Sequence, residues 1–412
     1  MKIAIVGKKK SPPTPSLTKE GKLKIAIIGA GMTGLVAGYR LSQKGHEITI
    51  FEKSADIGGL AGGFKIANTN LEKAYHHIFS TDKYIIELTK ELGLIDKLKW
   101  HDEKTALYFD HKMYPFMGAT DLLKFKPLGI GDKVRLGLVK IWLQYDNNWH
   151  KYENELATEW MKKWCGRRAY EVIWQPLLHG KFGDKYKEIS MAWLWARIHT
   201  RGNSSKLGYF EGGFRIIADA LAKKINGKII LNKKIEMKEL KDFDKILYTG
   251  PSKEVEYLGA INVVFTSTQS LSKYYWHNIN DIDSPILCFI QHTNMVDKKY
   301  YGGKQVYYMG TYIPNEGGLM DKSEAEIKKI FFDYLLKIFP KFNKKLIEDS
   351  WVWKFRNAQH LVTTSYKLGV SSYELVKNKI YQANFAMIYP EDRGTNFAVR
   401  EGERVARIMS SD

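Results

Sequence analysis

Cysteine is almost missing from this sequence. Cys165 and Cys288 are the two in 412 residues, with no CxxC pair, which excludes a disulfide framework and a cysteine-based zinc site. Long apolar runs are missing as well. The longest stretch without a charged residue, Tyr257 to Ser272, contains Asn, Thr, Ser and Gln and is too short for a bilayer-spanning helix. Arginine is scarce: it supplies 12 of the 64 basic residues, and the other 52 are Lys spread along the whole chain. Nucleic-acid binders concentrate positive charge on one face and favour Arg for bidentate contacts, so no nucleic-acid partner is expected. The net charge of +19 leaves attraction to an anionic membrane surface or an anionic substrate. With 44% hydrophobic and 26% charged residues, the chain has the composition of a globular protein of two or three domains. A cytoplasmic protein is expected.

Residues 2–7, KIAIVG, are nearly repeated at 24–29, KIAIIG. Pro12, Pro13 and Pro15 between them exclude a helix there, and the apolar run Ile3–Val6 is too short for a signal-peptide core. Only the second copy continues into a glycine motif, so residues 1–21 read as a dispensable appendage.

That second copy opens a nucleotide-binding unit. A β-rich run, Lys24 to Ile28, leads into Gly29-Ala30-Gly31-Met32-Thr33-Gly34, then a helical segment, then the alternating strand HEITIFEK with Glu52 about 20 residues on. Gly29 permits the tight turn, Gly31 lets backbone approach a pyrophosphate, and Gly34 allows helix and strand to pack closely. The helix N-terminus stabilises phosphate charge, and Glu52 accepts from a ribose hydroxyl. A lone GxGxxG is weak evidence of a site. Strand, helix, second strand and acid in register make it specific.

After Glu52 the chain reads KSADIGGLAGGF, an acid followed six residues later by Gly58-Gly59. In this the sequence resembles the flavoprotein superfamily of amine oxidases, protoporphyrinogen oxidases and phytoene desaturases; UDP-galactopyranose mutases share the segment. Tyr209 to Phe214, YFEGGF, looks like the family's Gly-Gly turn back to the cofactor domain. Ala398-Val399-Arg400-Glu401-Gly402 is similar to its Ala-x-x-Ser-Gly near the flavin, although Phe397 stands where many relatives have Gly. The resemblance implies FAD as cofactor. It places Gly29, Gly31, Met32, Thr33 and Gly34 at the phosphates, with Glu52 and Lys53 at the ribose end. Gly58, Gly59, Leu60 and Ala61 then approach the flavin, Ile235 contacts adenine, and Asp392, Arg393, Asn396 and Ala398 lie at the helix start beside the FAD. The order of these segments, with YHHIF and the Trp-rich helices, is similar to the protoporphyrinogen-oxidase-like branch. There is no second GxGxxG after a strand and no CxxxxC, which excludes the pyridine-nucleotide disulfide reductases.

The expected fold is therefore α/β: a discontinuous Rossmann-like FAD-binding domain of the glutathione-reductase type (residues 22–81, 202–262 and 365–412) with an inserted α+β substrate domain (82–201 and 263–364). The first inserted piece is mainly helical by period, and seven of the eleven Trp fall between Trp142 and Trp195. Core packing is the bland reading of that enrichment. An apolar substrate cavity or a membrane-interface belt is the functional one, and the resemblance adds that related oxidases and desaturases dock on membranes through this region.

Tyr75-His76-His77-Ile78-Phe79 follows the Gly-Gly loop. No HExxH or other metal spacing is present, and adjacent His on one strand face opposite sides, so no metal is expected. In the related mutases a His in a similar segment lies near the flavin, which makes His77 a candidate. Lys181, Arg197 and Arg201 lie in an aromatic setting and are candidates to clamp an anionic substrate group; surface ion pairs are the alternative. His360 stands where close relatives tend to have Pro. The resemblance implies an FAD-dependent oxidoreductase abstracting hydride from a CH–NH or CH–CH unit of an apolar or anionic small molecule, with oxygen, a quinone or another electron acceptor. A mutase-like isomerase, or a flavin-binding subunit without turnover, keeps the same fold.

Overall fold

The computed structural model describes residues 21–201, 206–364, 366 and 372–411. Apart from Gly21, the expected N-terminal appendage lies outside them.

Two large sheets organise the chain. The first has six strands in the order Gly227–Ile230, Glu47–Phe51, Lys24–Ile28, Lys245–Tyr248, Ile380–Gln382 and Glu374–Val376. All pair in parallel except the last, which runs antiparallel at the edge. Its central strand is apolar without alternation, and Ile25, Ala26 and Ile27 are fully buried, as a parallel strand covered on both faces requires. Helices Met32–Gln43, Arg215–Lys224 and Thr395–Ser410 pack against it. The first and last of these touch so closely that a Cβ at Gly402 would lie 2.7 Å from the Thr33 carbonyl.

The second sheet has seven strands in the order Ile347–His360, Tyr257–Ser267, Gln305–Pro314, Cys288–Gln291, Trp276–Ile279, Thr105–Phe109 and Lys112–Pro115. Every residue of Tyr257–Ser267 is buried. Helix Glu324–Ile338 covers this sheet through Ile327, Phe331 and Leu335, and the helices between Ile130 and Arg201 form a further core with Leu107 and Leu258. A three-stranded sheet of Ile78–Phe79, Leu207–Phe210 and Leu98–His101 completes the frame.

One expectation is corrected. The boundary between residues 262 and 263 falls inside the strand Tyr257–Ser267, which pairs along its length in the second sheet, so the chain changes sheets before Tyr257. The first inserted piece also carries strands at Leu98–His101, Thr105–Phe109 and Lys112–Pro115. These are short, and helical periodicity on either side obscures them. The tryptophans divide: Trp160, Trp193 and Trp195 are buried, while Trp142 and Trp164 are partly exposed.

Candidate cofactor and active site

The glycine motif separates into two kinds of glycine. Gly29 turns with φ +110°, and a Cβ there would lie 2.4 Å from Thr249 Oγ1; at Gly34 a Cβ would lie 2.1 Å from the Gly29 carbonyl oxygen. Both are demanded by the fold itself. At Gly31 the nearest atom to a Cβ would be Gly59 Cα at 4.0 Å, so the fold alone has room for a side chain. Gly31 caps helix Met32–Gln43 with no side-chain cap and no acid in the first turn, the setting an anion finds favourable. Buried Met32 and Thr33 open this helix, and Thr33 Oγ1 donates to the Ala398 carbonyl at 3.2 Å. Glu52, also buried, accepts from the Ala30 amide at 2.8 Å and from Ser54 at its amide (2.9 Å) and hydroxyl (2.6 Å). It shapes the loop first and keeps lone pairs for a ribose hydroxyl. Lys53 beside it is exposed. Gly58 and Gly59 both take left-handed backbone, and a Cβ at Gly59 would press to 3.1 Å from Gly31 Cα. Buried Ala61 anchors the turn. Ile235 packs with Phe51 and Leu240 beside the edge of this sheet. A bare cradle, an uncapped helix start and an acid at the end of the second strand fit a dinucleotide.

Leu60 leads from this cradle into a cavity of about 400 Å³ lined by strands of the second sheet and of the three-stranded sheet. Its other walls come from the Tyr75–Phe79 segment, Asn262, Gly310 to Tyr312, and the turn Asp392 to Phe397 that opens the last helix. One wall is ionic. Lys181 Nζ lies 3.0 Å and Arg197 Nη1 2.9 Å from Asp392 Oδ2, and Trp193 Nε1 donates to Asp392 Oδ1 at 3.2 Å. Arg393 donates to the Tyr312 hydroxyl at 2.8 Å and to Gln359 Oε1 at 3.2 Å. Three cations thus face one carboxylate. Burial holds Lys181 below the usual ammonium value even though Asp392 opposes the shift.

The placement of Lys181 follows from a local irregularity. Pro176 has no N–H, and the helix widens into a π-turn over Tyr170–Trp174 before Gln175–Phe182 carries Lys181 inward. Asn280, just past strand Trp276–Ile279 of the second sheet, donates to the Val172 carbonyl at 2.9 Å and to that of Ile173 at 3.3 Å.

The structure brings His77, Lys181, Arg197, Asp392 and Arg393 to one cavity. Arg201 ends helix Met191–Arg201, and its side chain lies outside the described residues. Residues 75–77 are not a strand, so His76 and His77 both line the cavity instead of facing opposite sides. His76 Nδ1 is 2.7 Å from the Ala74 carbonyl, and burial lowers its pKa to about 4; His77 Nδ1 is 3.3 Å from the Tyr275 hydroxyl. Asp392, placed at the FAD by resemblance, is bound to the ionic wall. The Asn396 side-chain oxygen accepts from the amides of Tyr84 (2.9 Å) and Ile85 (3.2 Å) and so caps a helix. His360 is fully buried beneath the ionic wall, its pKa lowered by burial to about 3. Sequence reasoning missed Tyr312, Tyr75 and Asn262. Gly310 inside a strand was the available signal, since a strand glycine often marks close approach, here of Tyr75 and Asn262. Among the described residues no group of His, Cys, Asp and Glu could hold a metal ion.

The family model described as flavin containing amine oxidoreductase matches residues 32–254. The chain belongs to this family, a class of FAD-dependent oxidoreductases, and FAD is the cofactor the cradle fits. Among curated relatives, the chain is 36% identical over 101 residues to a zeta-carotene desaturase of Arabidopsis thaliana, covering 24% of this chain and 17% of the desaturase. It is 60% identical over 37 residues to a 4,4'-diapophytoene desaturase of Staphylococcus aureus, 9% of this chain and 7% of that one. The matches thus span less than a fifth of those relatives' lengths. Among solved structures, a protein of Exiguobacterium sp. 255-15 assigned as a protoporphyrinogen oxidase superposes with TM-score 0.73 at 16% identity, over 95% of this chain and 100% of that one. A reduced UDP-galactopyranose mutase gives 0.73 at 14% identity, over 95% and 96%. At these identities the likeness is one of fold.

Proposed function

We propose that the protein is an FAD-dependent oxidoreductase removing a hydride from a CH–NH or CH–CH unit of a small molecule that carries an anionic group. The observation that carries this is the ionic wall: Lys181, Arg197 and Arg393 against the single carboxylate of Asp392, at the cavity end of the cofactor loops. Bound FAD supplies the two-electron acceptor; oxygen, a quinone or another acceptor takes the electrons on. Gly31 and the start of helix Met32–Gln43 seat the pyrophosphate, with Glu52 at the ribose. The cations orient the substrate's anionic group, and the aromatic rings of Phe79, Trp276 and Phe397 shed water around the reacting carbon. A carotenoid chain asks for apolar lining throughout, whereas this wall carries charge. The first sheet is read as the cofactor half and the second, with its helices, as the substrate half. The test is the visible spectrum of the purified protein under nitrogen, titrated with porphyrinogen, polyene, amine and UDP-sugar. Bleaching of the flavin band by one of these, an anionic one by this reading, supports it. A band that none bleaches, with turnover only after dithionite reduction, identifies a mutase-like isomerase. No turnover in either state points to a flavin-binding subunit.

We also infer a peripheral contact with an anionic membrane surface, on the inner face if the protein is cytoplasmic. No helix among the described residues is long and apolar enough to cross a membrane. Helix Ile130–Tyr145 nevertheless exposes Ile130 (68%), Val134 (54%), Leu138 (63%), Ile141 (56%) and Tyr145 (72%) along one side, with Lys133 and Lys140 on the same helix. Co-sedimentation with phosphatidylserine vesicles, lost in the Leu138→Glu/Ile141→Glu variant, is the expected result. Absence of binding by the unaltered protein overturns it.

A further inference from the structure

We propose that Tyr312 is the catalytic base of this site: its hydroxyl oxygen, bonded by the Arg393 guanidinium and flanked by the Lys181 ammonium, takes the substrate proton that must leave beside the oxidised carbon. The inference rests on the oxidoreductase reading for the identity of that proton. It adds the group that receives it.

Loss of hydride from a CH–NH or CH–CH unit leaves a second hydrogen to depart as a proton, so the cavity needs an acceptor. His77 Nδ1 lies 3.3 Å from the Tyr275 hydroxyl, and Asp82 accepts from the Phe79 amide at 2.8 Å; three further groups are less suited. His76 is bound to the Ala74 carbonyl, and its pKa of about 4, set first by burial and further lowered by Arg393, makes it a weak base near neutrality. Asp392 accepts from Lys181, Arg197 and Trp193. Cys288, on the neighbouring strand, has its thiol pushed up to about 12 by burial.

Tyr312 stands in the opposite electrostatic setting. It lines the cavity from strand Gln305–Pro314, and its oxygen accepts the 2.8 Å hydrogen bond from Arg393. Lys181 Nζ lies 5.1 Å and the Arg393 guanidinium carbon 5.6 Å from the centre of its ring. A charged donor bonded to a phenol oxygen stabilises the phenolate. Burial alone would raise the phenol's pKa; Arg393 and then Lys181 outweigh it, against smaller opposing effects of Asp392 and Cys288, and the pKa falls below the ordinary value. Tyr75, which also lines the cavity, has no comparable support, and burial raises its pKa well above the ordinary value. Two phenols in one cavity are thus divided into an acceptor and a donor by which of them the guanidinium touches.

The step balances without a further reagent. The substrate's H–N or H–C bond breaks and its electron pair stays on the substrate. An O–H bond forms at Tyr312, and solvent in the cavity later takes the proton. The two electrons of the oxidation go to FAD, as above.

The test uses the flavin-bound protein with 13C at tyrosine Cζ. We expect one tyrosinate signal to appear below pH 10, to be absent in Tyr312→Phe, and to move to higher pH in Arg393→Gln. With whichever compound of the panel bleaches the flavin, Tyr312→Phe should bleach at least about 100-fold more slowly and lose the acid limb of the rate profile, while bound flavin is unchanged. If Arg393→Gln does not fold, Lys181→Met provides the same shift. Overturning results are that no tyrosine ionises below pH 10, that the early signal survives in Tyr312→Phe, or that Tyr312→Phe bleaches at the unaltered rate. A flavin that no compound bleaches counts against the oxidoreductase reading, and the tyrosinate signal still decides whether Tyr312 is the ionisable group.

Discussion

Asn280 donates its side-chain amide to the Val172 carbonyl at 2.9 Å, beside a helix in which Pro176 has no N–H to offer. A residue just past a strand of the second sheet thereby satisfies a carbonyl that the π-turn leaves open, and the following turn brings Lys181 to the cavity. Asn280→Ala removes that donor from a buried carbonyl and should cost about 1–3 kcal/mol. Urea unfolding measures the loss; an unchanged midpoint would show that solvent replaces the bond.

The two kinds of glycine in the motif predict opposite outcomes. Gly34→Ala places a methyl group 2.1 Å from the Gly29 carbonyl oxygen and should yield little folded protein. Gly31→Ala meets nothing nearer than Gly59 Cα at 4.0 Å, so it should fold and melt like the unaltered apoprotein. It should nevertheless lose most of its flavin, since the methyl group occupies the phosphate's approach. Flavin content and thermal melting, measured together, separate the two.

Asp392→Asn leaves buried Lys181 and half-buried Arg197 without their shared anion. Removing one member of a buried ion pair costs about 3–5 kcal/mol, so the melting temperature should fall. Added phosphate should recover more of the loss than it gains for the unaltered protein, because the bared cations now bind it. Equal phosphate effects would argue against an anion-binding wall.

Glu72 supplies a pH signature. It is buried, accepts from the Tyr209 hydroxyl and the Phe214 amide at 2.6 Å each, and burial raises its pKa to about 7 from the ordinary 4.5. The native state therefore holds a proton that the unfolded chain has lost between those values, and this group's contribution to stability falls as pH rises from about 4.5 to about 7. Buried His76, His277, His292 and His360, with pKa values lowered from 6.5 to about 3 or 4, act in the other direction. The difference between the unaltered protein and Glu72→Gln isolates the carboxyl. It should shrink as pH rises through that window.

How much of this was legible depends on range. The glycine motif, the strand to Glu52 and the helix start at residue 395 announce themselves locally, because each needs particular residues at fixed spacing. Lys181 and Arg197 stand out as cations among aromatics, yet their common partner Asp392 is 211 and 195 residues away, a distance no periodicity spans. Tyr312 is an ordinary strand tyrosine until Arg393 arrives. The YHHIF segment misleads for a related reason: its composition suits a strand, and an irregular backbone turns both histidines to one side.

Thr33 and Ala398, bonded across 365 residues of chain, give the first sheet and its helices a schedule. The glycine turn leaves the ribosome 365 residues before the part of the helix that bonds to it. Until it arrives, the nascent chain presents a half-built cradle with one apolar flank uncovered. Loading of FAD thus waits for helix Thr395–Ser410, and any shortening that removes it should forfeit the cofactor even with every residue of the glycine fingerprint intact.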